Sequence, residues 1–134
     1  MRENWKFSEL EYVRPDFEQA KENLKSYIKK IREADSFTAA LSAYTESEKE
    51  IDHLMMMYTL VYVRHTLDTS DKFYEEEHEV FNSQFPTFGP ISVESGEALN
   101  ESKYRDDFET KFGKQFFASI ELEKKRFSEK NIPL

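Results

Sequence analysis

The sequence predicts an all-α fold, an antiparallel helical bundle of five or six helices in a single helical domain over residues 1–134. Only three Gly and four Pro occur among the 134 residues, so long stretches lack the two residues that break helices most strongly. Apolar residues recur at spacings of three and four, which is the period of one helix face. Twelve Phe, seven Tyr and one Trp supply enough apolar area for a core of this size.

The first helix is predicted after an extended lead-in. Residues 1–14 contain scattered apolar anchors at Trp5, Phe7, Leu10 and Tyr12. Pro15 is assigned to the first helical turn, because the missing N–H of proline would be unpaired there in any case. From Asp16 onward, one apolar face is formed by Phe17, Ala20, Leu24, Tyr27, Ile28 and Ile31.

A second helix begins after Ser36, a residue type favoured as an N-cap. Its apolar spacing continues to about Thr66 and allows either a single long rod or two pieces that meet near Thr45–Ser47. The capping side chains in the segment 67–70 indicate a turn. A third helix is predicted from Asp71 to about Phe85, with Pro86 ending it.

The C-terminal third contains the weakest helical pattern. Gly89, Pro90 and Gly96 predict a loop over residues 87–100 with at most one short helix. Ser102 is expected to cap the next helix, whose inward residues are Tyr104, Phe108 and Phe112. Gly113 fits either a C-cap or a point of close packing. The last helix is predicted from Lys114 to Phe127, with Phe116, Phe117, Ile120 and Leu122 as its apolar residues.

Composition excludes several function classes. The chain has no Cys and therefore no disulfide, thiolate ligand or cysteine nucleophile. A net charge of −8 argues against nucleic-acid binding, which depends on Lys and Arg. The longest apolar run, residues 54–63, is shorter than the roughly 20 residues of a membrane span, and no secretory signal is evident. We expect a cytoplasmic protein without membrane or nucleic-acid partners.

The histidines do not predict a metal centre. His78-Glu79 begins like the zinc motif H-E-x-x-H, but Asn82 occupies the place of the second His. Two Glu-x-x-His pairs, Glu50–His53 and Glu75–His78, are typical of di-iron bundles. Antiparallel pairing across the predicted turn would offset the two His by about 9 Å at 1.5 Å per residue. A di-iron bundle is therefore the least favoured alternative, and no metal ligand is assigned.

No catalytic constellation is evident elsewhere. The acidic segment 75–79 lacks the spacing of a calcium loop and is explained by the favourable dipole at a helix N-terminus. Met55, Met56 and Met57 are interpreted as core residues. Neither a nucleophile elbow nor a glycine-rich phosphate loop is present. We therefore assign no catalytic or cofactor-binding residues.

One segment is more specific than a generic helix. Residues 63–74, followed by Glu77, resemble a signature of the N-terminal helical region of oligoendopeptidase F-type enzymes, relatives of thimet oligopeptidase. The signature residues are Arg64, Asp68, Thr69, Asp71, Phe73, Tyr74 and Glu77. Further blocks resemble the family in the same order: Phe7–Leu10 with Tyr12 and Arg14–Asp16, then Phe112–Gln115 with Phe117, and Phe127–Ser128 with Ile132.

The signature is expected to form a structural joint between two helices. Asp68, Thr69 and Ser70 have side chains that can satisfy the free N–H groups at a helix start, and Asp71 adds a favourable charge. Arg64 is expected to pair with Asp68 or Asp71 across the joint. None of these roles is catalytic.

The resemblance implies a parent zinc metallopeptidase whose catalytic part is absent from this chain. Family members are two-lobed helical enzymes that hold a peptide in a deep channel. Their zinc is bound by an H-E-x-x-H helix and a further Glu toward the C-terminus, and it activates water for peptide hydrolysis. This chain ends at Leu134, before any such motif. Zinc and peptidase activity are therefore not carried over to it.

The function implied by the resemblance is that of a non-catalytic domain that helps to wall the channel for short peptides. Its expected partners are the catalytic lobe of the parent peptidase and short peptides in the full enzyme. The isolated domain is expected to self-associate through exposed apolar surface. The alternative is a free-standing helical interaction or scaffold protein.

Overall fold

The computed structural model describes residues 10–130, with side chains through residue 126, and this part contains helices and no strand. Its six α-helices and one 3₁₀ turn are α1 (Phe17–Glu33), α2 (Phe37–Leu67), α3 (Lys72–Gln84), the 3₁₀ turn (Phe85–Phe88), α4 (Gly89–Asn100), α5 (Arg105–Phe112) and α6 (Gln115–Lys130). The predicted all-α helical bundle is confirmed. The expectations for Trp5, Phe7 and Ile132, and for the side chains of Phe127 and Ser128, lie outside the described residues.

Helix α1 begins at Phe17, later than the sequence indicated. Asp16 is the N-cap, and its carboxylate accepts a hydrogen bond from the backbone N–H of Gln19 at 3.0 Å. Pro15 therefore precedes the cap, and its assignment to the first helical turn was wrong, because a carboxylate satisfies the free N–H groups of that turn directly. The predicted apolar face is confirmed, and its buried residues are Phe17, Ala20, Leu24, Ile28 and Ile31.

Helix α2 is a single rod of 31 residues. Ser36 caps it as predicted, with its hydroxyl oxygen accepting from the backbone N–H of Ala39 at 3.0 Å. The polar segment Thr45–Ser47 does not divide it. The Ser47 hydroxyl donates to the carbonyl of Tyr44 at 2.7 Å, so this buried hydroxyl has its hydrogen-bond partner within the helix.

The turn between α2 and α3 lies where the sequence placed it. Asp68 is the C-cap of α2, and its carboxylate accepts from both the backbone N–H and the hydroxyl of Ser70. Asp71 is the N-cap of α3 and accepts from the backbone N–H of Phe73 at 2.9 Å. Helix α3 ends at Gln84, and Pro86 lies in the 3₁₀ turn that follows.

Helix α4 replaces most of the predicted loop over residues 87–100. It has 12 residues, and Pro90 stands in its first turn, where proline is favoured. The two residues interpreted as breakers, Gly89 and Pro90, thus start the helix. Four of its residues are buried: Ile91, Gly96, Ala98 and Leu99.

Gly96 in the middle of α4 is a point of close contact with α6. A Cβ atom added at Gly96 would lie 2.7 Å from Cγ2 of Ile120, closer than carbon atoms approach in proteins. We therefore expect Gly96→Ala to lower the free energy of unfolding by about 1–3 kcal/mol, despite the better helix propensity of alanine.

Urea unfolding of Gly96→Ala, Ile120→Ala and the double variant measures this clash. The cost of Gly96→Ala should largely disappear in the Ile120→Ala background, because the conflicting γ-methyl group is then absent. Additive costs would contradict the close contact.

The last two helices differ from the prediction at their starts. The hydroxyl oxygen of Ser102 accepts from the backbone N–H of Tyr104, but α5 begins only at Arg105, so Ser102 caps the preceding turn. Gly113 is the C-cap of α5 with φ of 92°, and nothing would contact an added Cβ there. The C-cap alternative is therefore correct. Leu122, one of the apolar residues assigned to the last helix, is 50% exposed.

The buried residues form two clusters. The first cluster joins the C-terminal half of α1 and the start of α2 to α4, α5 and α6, with Ile31, Ala40, Leu99 and Phe108 among its members. The second cluster joins the start of α1 and the C-terminal half of α2 to α3. The partly buried Leu10 and Tyr12 pack on it, as expected for anchors of the lead-in. Helix α2 thus contributes to both clusters.

No helix in the described part of the chain is long and apolar enough to cross a membrane.

Candidate functional site

A groove of about 890 Å³ lies between α2 and α6. We call it the α2–α6 groove. Its sides include Ile51 and Met55 of α2 and Ile120 of α6, and its floor includes Leu24 of α1 and Ile91 of α4. Ile51 and Met55 remain 40% and 46% exposed. The groove is thus mostly apolar and open to solvent along one side.

Carboxylates are concentrated along this groove. Burial raises the pKa of Glu48, the hydroxyl of Tyr44 partly opposes this effect, and the charges of Asp52 and Glu123 raise the pKa further. Burial also raises the pKa of the Tyr44 hydroxyl, together with the nearby Glu48 charge. The ionised form of Glu48 is therefore disfavoured by its surroundings.

Glu48→Gln should stabilise the fold at neutral pH. A carboxyl group whose folded-state pKa lies above its unfolded value destabilises the protein above the folded pKa and has no such effect below the unfolded pKa. We expect the Tm to rise by about 2 °C at pH 7, which corresponds to roughly half a kcal/mol in a domain of this size.

Thermal unfolding at pH 7 and pH 4 tests this sign. The difference between the wild type and Glu48→Gln should shrink toward pH 4, whereas a matched change at the exposed Glu79 should leave the Tm almost unchanged at both values. A lower Tm for Glu48→Gln at pH 7 would contradict the assignment.

A second polar centre attaches the lead-in to α3. Glu77 is only 3% exposed, and its carboxylate accepts from the guanidinium of Arg14, with Nε at 2.9 Å, and from the hydroxyl of Tyr12 at 2.7 Å. Arg14 Nη2 donates to the second carboxylate oxygen. We call these three residues the Arg14–Glu77 clasp.

The clasp changes the acidity of its members in opposite directions. The hydrogen bonds from Arg14 lower the pKa of Glu77, although burial opposes them. Burial and the Glu77 carboxylate raise the pKa of Tyr12. The sequence analysis included Glu77 in the signature and explained its charge by the helix dipole, but it did not predict a partner for this residue. The available signal was its spacing, because residues 74, 77 and 81 share one helix face and Phe81 is fully buried.

Arg64 of the signature extends the contacts of the lead-in. Its guanidinium donates to the hydroxyl of Tyr74 at 3.2 Å and to the carbonyl of Leu10 at 2.5 Å, rather than to Asp68 or Asp71 as predicted. Asp68 and Asp71 instead accept hydrogen bonds from backbone N–H groups of the turn.

The remaining signature residues lie at the same joint. The ring of Phe73, 52% exposed, packs edge-on against Tyr12 and Tyr74, with centroids 6.1 Å and 4.9 Å away. Thr69 is exposed on the turn. Six of the seven signature residues therefore have a described contact within the joint between the lead-in, α2 and α3.

The two Glu-x-x-His pairs do not converge on one site. His78 stacks on His65 with ring centroids 5.5 Å apart, and His53 is exposed. Glu50 accepts a hydrogen bond from Asn23 of α1 at 2.7 Å. Within residues 10–130, no group of three or more His, Asp or Glu side chains is arranged to hold a metal ion. The described residues therefore do not fit a zinc or di-iron centre.

Comparison with known proteins gives one family. The model of the Peptidase M3 N-terminal domain matches residues 7–127. No curated protein matches the chain significantly.

Three solved structures match with high similarity. One, assigned as an oligoendopeptidase F and solved at 3.1 Å, has a TM-score of 0.86 and 32% identity over 90% of this chain. PZ peptidase A with an inhibitor gives 0.85 and 32% over 90%. A protein assigned as an oligoendopeptidase F from Bacillus anthracis str. Ames gives 0.85 and 30% over 88%. The chain spans only 21%, 21% and 22% of their respective lengths.

Proposed function

The chain belongs to the Peptidase M3 N-terminal domain family, and from this membership we propose that it is the non-catalytic helical N-terminal domain of a zinc oligopeptidase. It would form a single helical domain over residues 1–134 that helps to wall the channel for short peptides. The observation that carries the proposal is the coverage: the alignment includes 90% of this chain but only 21% of an oligoendopeptidase F.

The chemistry of the described residues supports a role in shaping the site. A zinc ion in the rest of such an enzyme would supply an activated water molecule for peptide hydrolysis. The described residues of this chain offer no cluster that could bind the metal. Their contribution would be the position and charge of the walls around a substrate.

The signature residues support this role as structural elements. Arg64 and Tyr74 hold the lead-in against the end of α2 and the start of α3, and Glu77 holds Arg14. We propose that these contacts keep the joint rigid, so that the domain presents a fixed surface to its neighbour. None of the three residues would contact the reacting peptide bond.

The exposed side of this joint would contact the catalytic lobe. Leu67 is 80% exposed and Phe73 is 52% exposed, with Val13 at 60% in the adjoining lead-in. Exposed apolar side chains in one region are typical of an interaction surface. In isolation, the same surface would favour self-association of the domain.

The reading frame beyond Leu134 in the source genome tests the proposal directly. A continuing frame that encodes H-E-x-x-H is expected, and a stop codon at this point would favour a free-standing helical interaction protein instead.

In the whole enzyme, Leu67→Asp should weaken the contact between lobes. A matched Thr69→Asp substitution on the same turn controls for the added charge.

Peptide hydrolysis by the whole enzyme provides the functional readout. With the wall loosened by Leu67→Asp, the kcat/KM for long peptides should rise relative to the kcat/KM for short ones. Equal changes for peptides of all lengths would contradict a role in restricting entry.

A further inference from the structure

The α2–α6 groove has the size and composition of a ligand-binding site. Its volume of about 890 Å³ falls within the range of roughly 300–1,000 Å³ typical of such sites. Apolar side chains line most of it, and Ile51, Met55 and Phe112 remain 40–46% exposed along its edge. An occupant with large apolar side chains would cover these residues and gain the favourable free energy of burying them.

The charge of the groove selects among occupants. Its lining includes five carboxylates, those of Glu48, Glu97, Glu101, Glu121 and Glu123, and one ammonium group, that of Lys124. Two of the carboxylates have described cationic partners, because Lys124 lies 3.5 Å from Glu97 and Arg32 lies 2.9 Å from Glu101. The local excess of negative charge favours a cationic ligand and repels phosphate or acidic groups.

Glu48 is the member of this set best placed to receive a cation. It is half-buried among apolar residues, and Asp52 and Glu123 add like charge around it. Glu123 also accepts a hydrogen bond from the hydroxyl of Ser92 on the neighbouring α4. A guanidinium or ammonium group that entered here would relieve the repulsion among these carboxylates and form charge-assisted hydrogen bonds with Glu48.

The groove also offers hydrogen-bonding groups for a peptide backbone. The side chains of Gln115 and Ser119 on α6 and of Ser95 on α4 line it beside the apolar residues. An extended peptide carries unpaired N–H and C=O groups that need such partners when water is displaced. A purely apolar ligand would leave these side chains unpaired.

We propose that the α2–α6 groove binds short extended peptides and prefers those with an arginine or lysine beside large apolar residues, with Glu48 receiving the cation. This inference rests on the proposed function, because it names the class of peptide that the channel wall contacts. Arginine should bind more tightly than lysine, since its planar guanidinium can pair with a carboxylate through two hydrogen bonds.

Fluorescence anisotropy with the intact chain tests the proposal. The probe is a fluorescein-labelled hexapeptide with two leucines, one phenylalanine and a central arginine, and the matched probe has citrulline in place of arginine. Citrulline keeps the shape and removes the charge. The arginine peptide should bind about tenfold more tightly or better, as expected for hydrogen bonds to a charged group.

Substitutions in the groove test which residue is responsible for the preference for arginine. Glu48→Gln should reduce the preference for arginine to about twofold or less, mainly by weakening the binding of the arginine peptide. Ile51→Lys, one helical turn from Glu48, should abolish it independently by supplying an internal cation. Glu79→Gln on α3 removes the same charge outside the groove and should preserve the full preference. Circular dichroism confirms that each variant is folded.

Three outcomes would overturn the proposal. The first is equal affinity for the two peptides, and the second is an arginine preference that persists in Glu48→Gln. The third is that the chain binds neither peptide and instead forms a dimer that Ile51→Ser disrupts. The proposed function is tested separately by the reading frame beyond Leu134. A frame that encodes H-E-x-x-H, combined with no arginine preference, rejects the peptide-binding groove alone. A stop codon combined with arginine-selective binding rejects the peptidase assignment alone.

Discussion

Phe108→Ala should lower the free energy of unfolding by about 3–5 kcal/mol, the usual cost of removing a buried aromatic ring. Phe108 is 0% exposed. Its ring packs edge-on against Phe37 and Tyr44, with centroids 5.1 Å and 5.9 Å away, and stacks on Phe116 at 6.2 Å. Truncation removes the apolar burial and leaves a cavity between α2, α5 and α6 that surrounding rings can fill only in part.

Urea unfolding followed by circular dichroism measures this loss. Phe112→Ala is the matched control, because Phe112 lies one turn further along α5 in the same aromatic group but is 40% exposed. It should cost about 1 kcal/mol, in proportion to its smaller buried area. An equal loss of unfolding free energy in the two variants would contradict a central position of Phe108 in this part of the first cluster.

Arg14→Ala should cost about 2–4 kcal/mol, somewhat below the 3–5 kcal/mol typical of breaking a fully buried ion pair. The Glu77 side chain is 4% exposed, whereas Arg14 is 56% exposed. Removing the guanidinium leaves a buried carboxylate with the Tyr12 hydroxyl and without its cation. Glu77→Gln should cost only about 1–2 kcal/mol, since the exposed Arg14 regains water and glutamine carries no charge.

The pH dependence separates this electrostatic effect from lost packing. Because Arg14 holds the pKa of Glu77 below its ordinary value, the stabilisation is present above the unfolded pKa and is lost as pH falls through the folded pKa. The difference between the wild type and Arg14→Ala should therefore narrow from about pH 5 downward. The double variant Arg14→Ala/Glu77→Gln should resemble Glu77→Gln. A difference that stays constant with pH would contradict the clasp.

The parts of the fold that sequence predicted well are those fixed by neighbouring residues. The apolar face of α1 follows from spacings of three and four, and the Ser36 cap follows from a hydroxyl that reaches an N–H three residues away. The turn after α2 follows from Asp68 and Asp71 for the same reason. Each of these features depends on a contact within one or two helical turns.

The errors arose where distant residues or position within a helix decided the structure. Pro90 breaks a helix interior but suits a first turn, and α4 is stabilised there by burial of Ile91 and Leu99 against other helices. Glu77 and Arg14 are separated by 63 residues, so no local pattern joins them. Gly96 is explained only by Ile120, which the sequence gives no means of placing nearby.

The candidate groove was not predictable for a related reason. The apolar spacing of the sequence marked out the helices that became α2 and α6, and Tyr44, Ile51 and Ile120 of these helices line the groove. Whether two such faces meet in a sealed core or leave space depends on the angle and separation of whole helices. The charge of Glu48 was visible in the sequence, but its half-buried position near the charges of Asp52 and Glu123 was not.

The uninterrupted course of α2 has a consequence for cooperativity. Its 31 residues span about 46 Å at 1.5 Å per residue, and they supply Ala40 to the first cluster and Leu60 to the second, both 0% exposed. Neither cluster can open fully without exposing part of the same helix. We therefore expect the amide hydrogens of residues 40 and 60 to exchange with solvent through one shared global opening, with similar protection, and not through two separate subdomains.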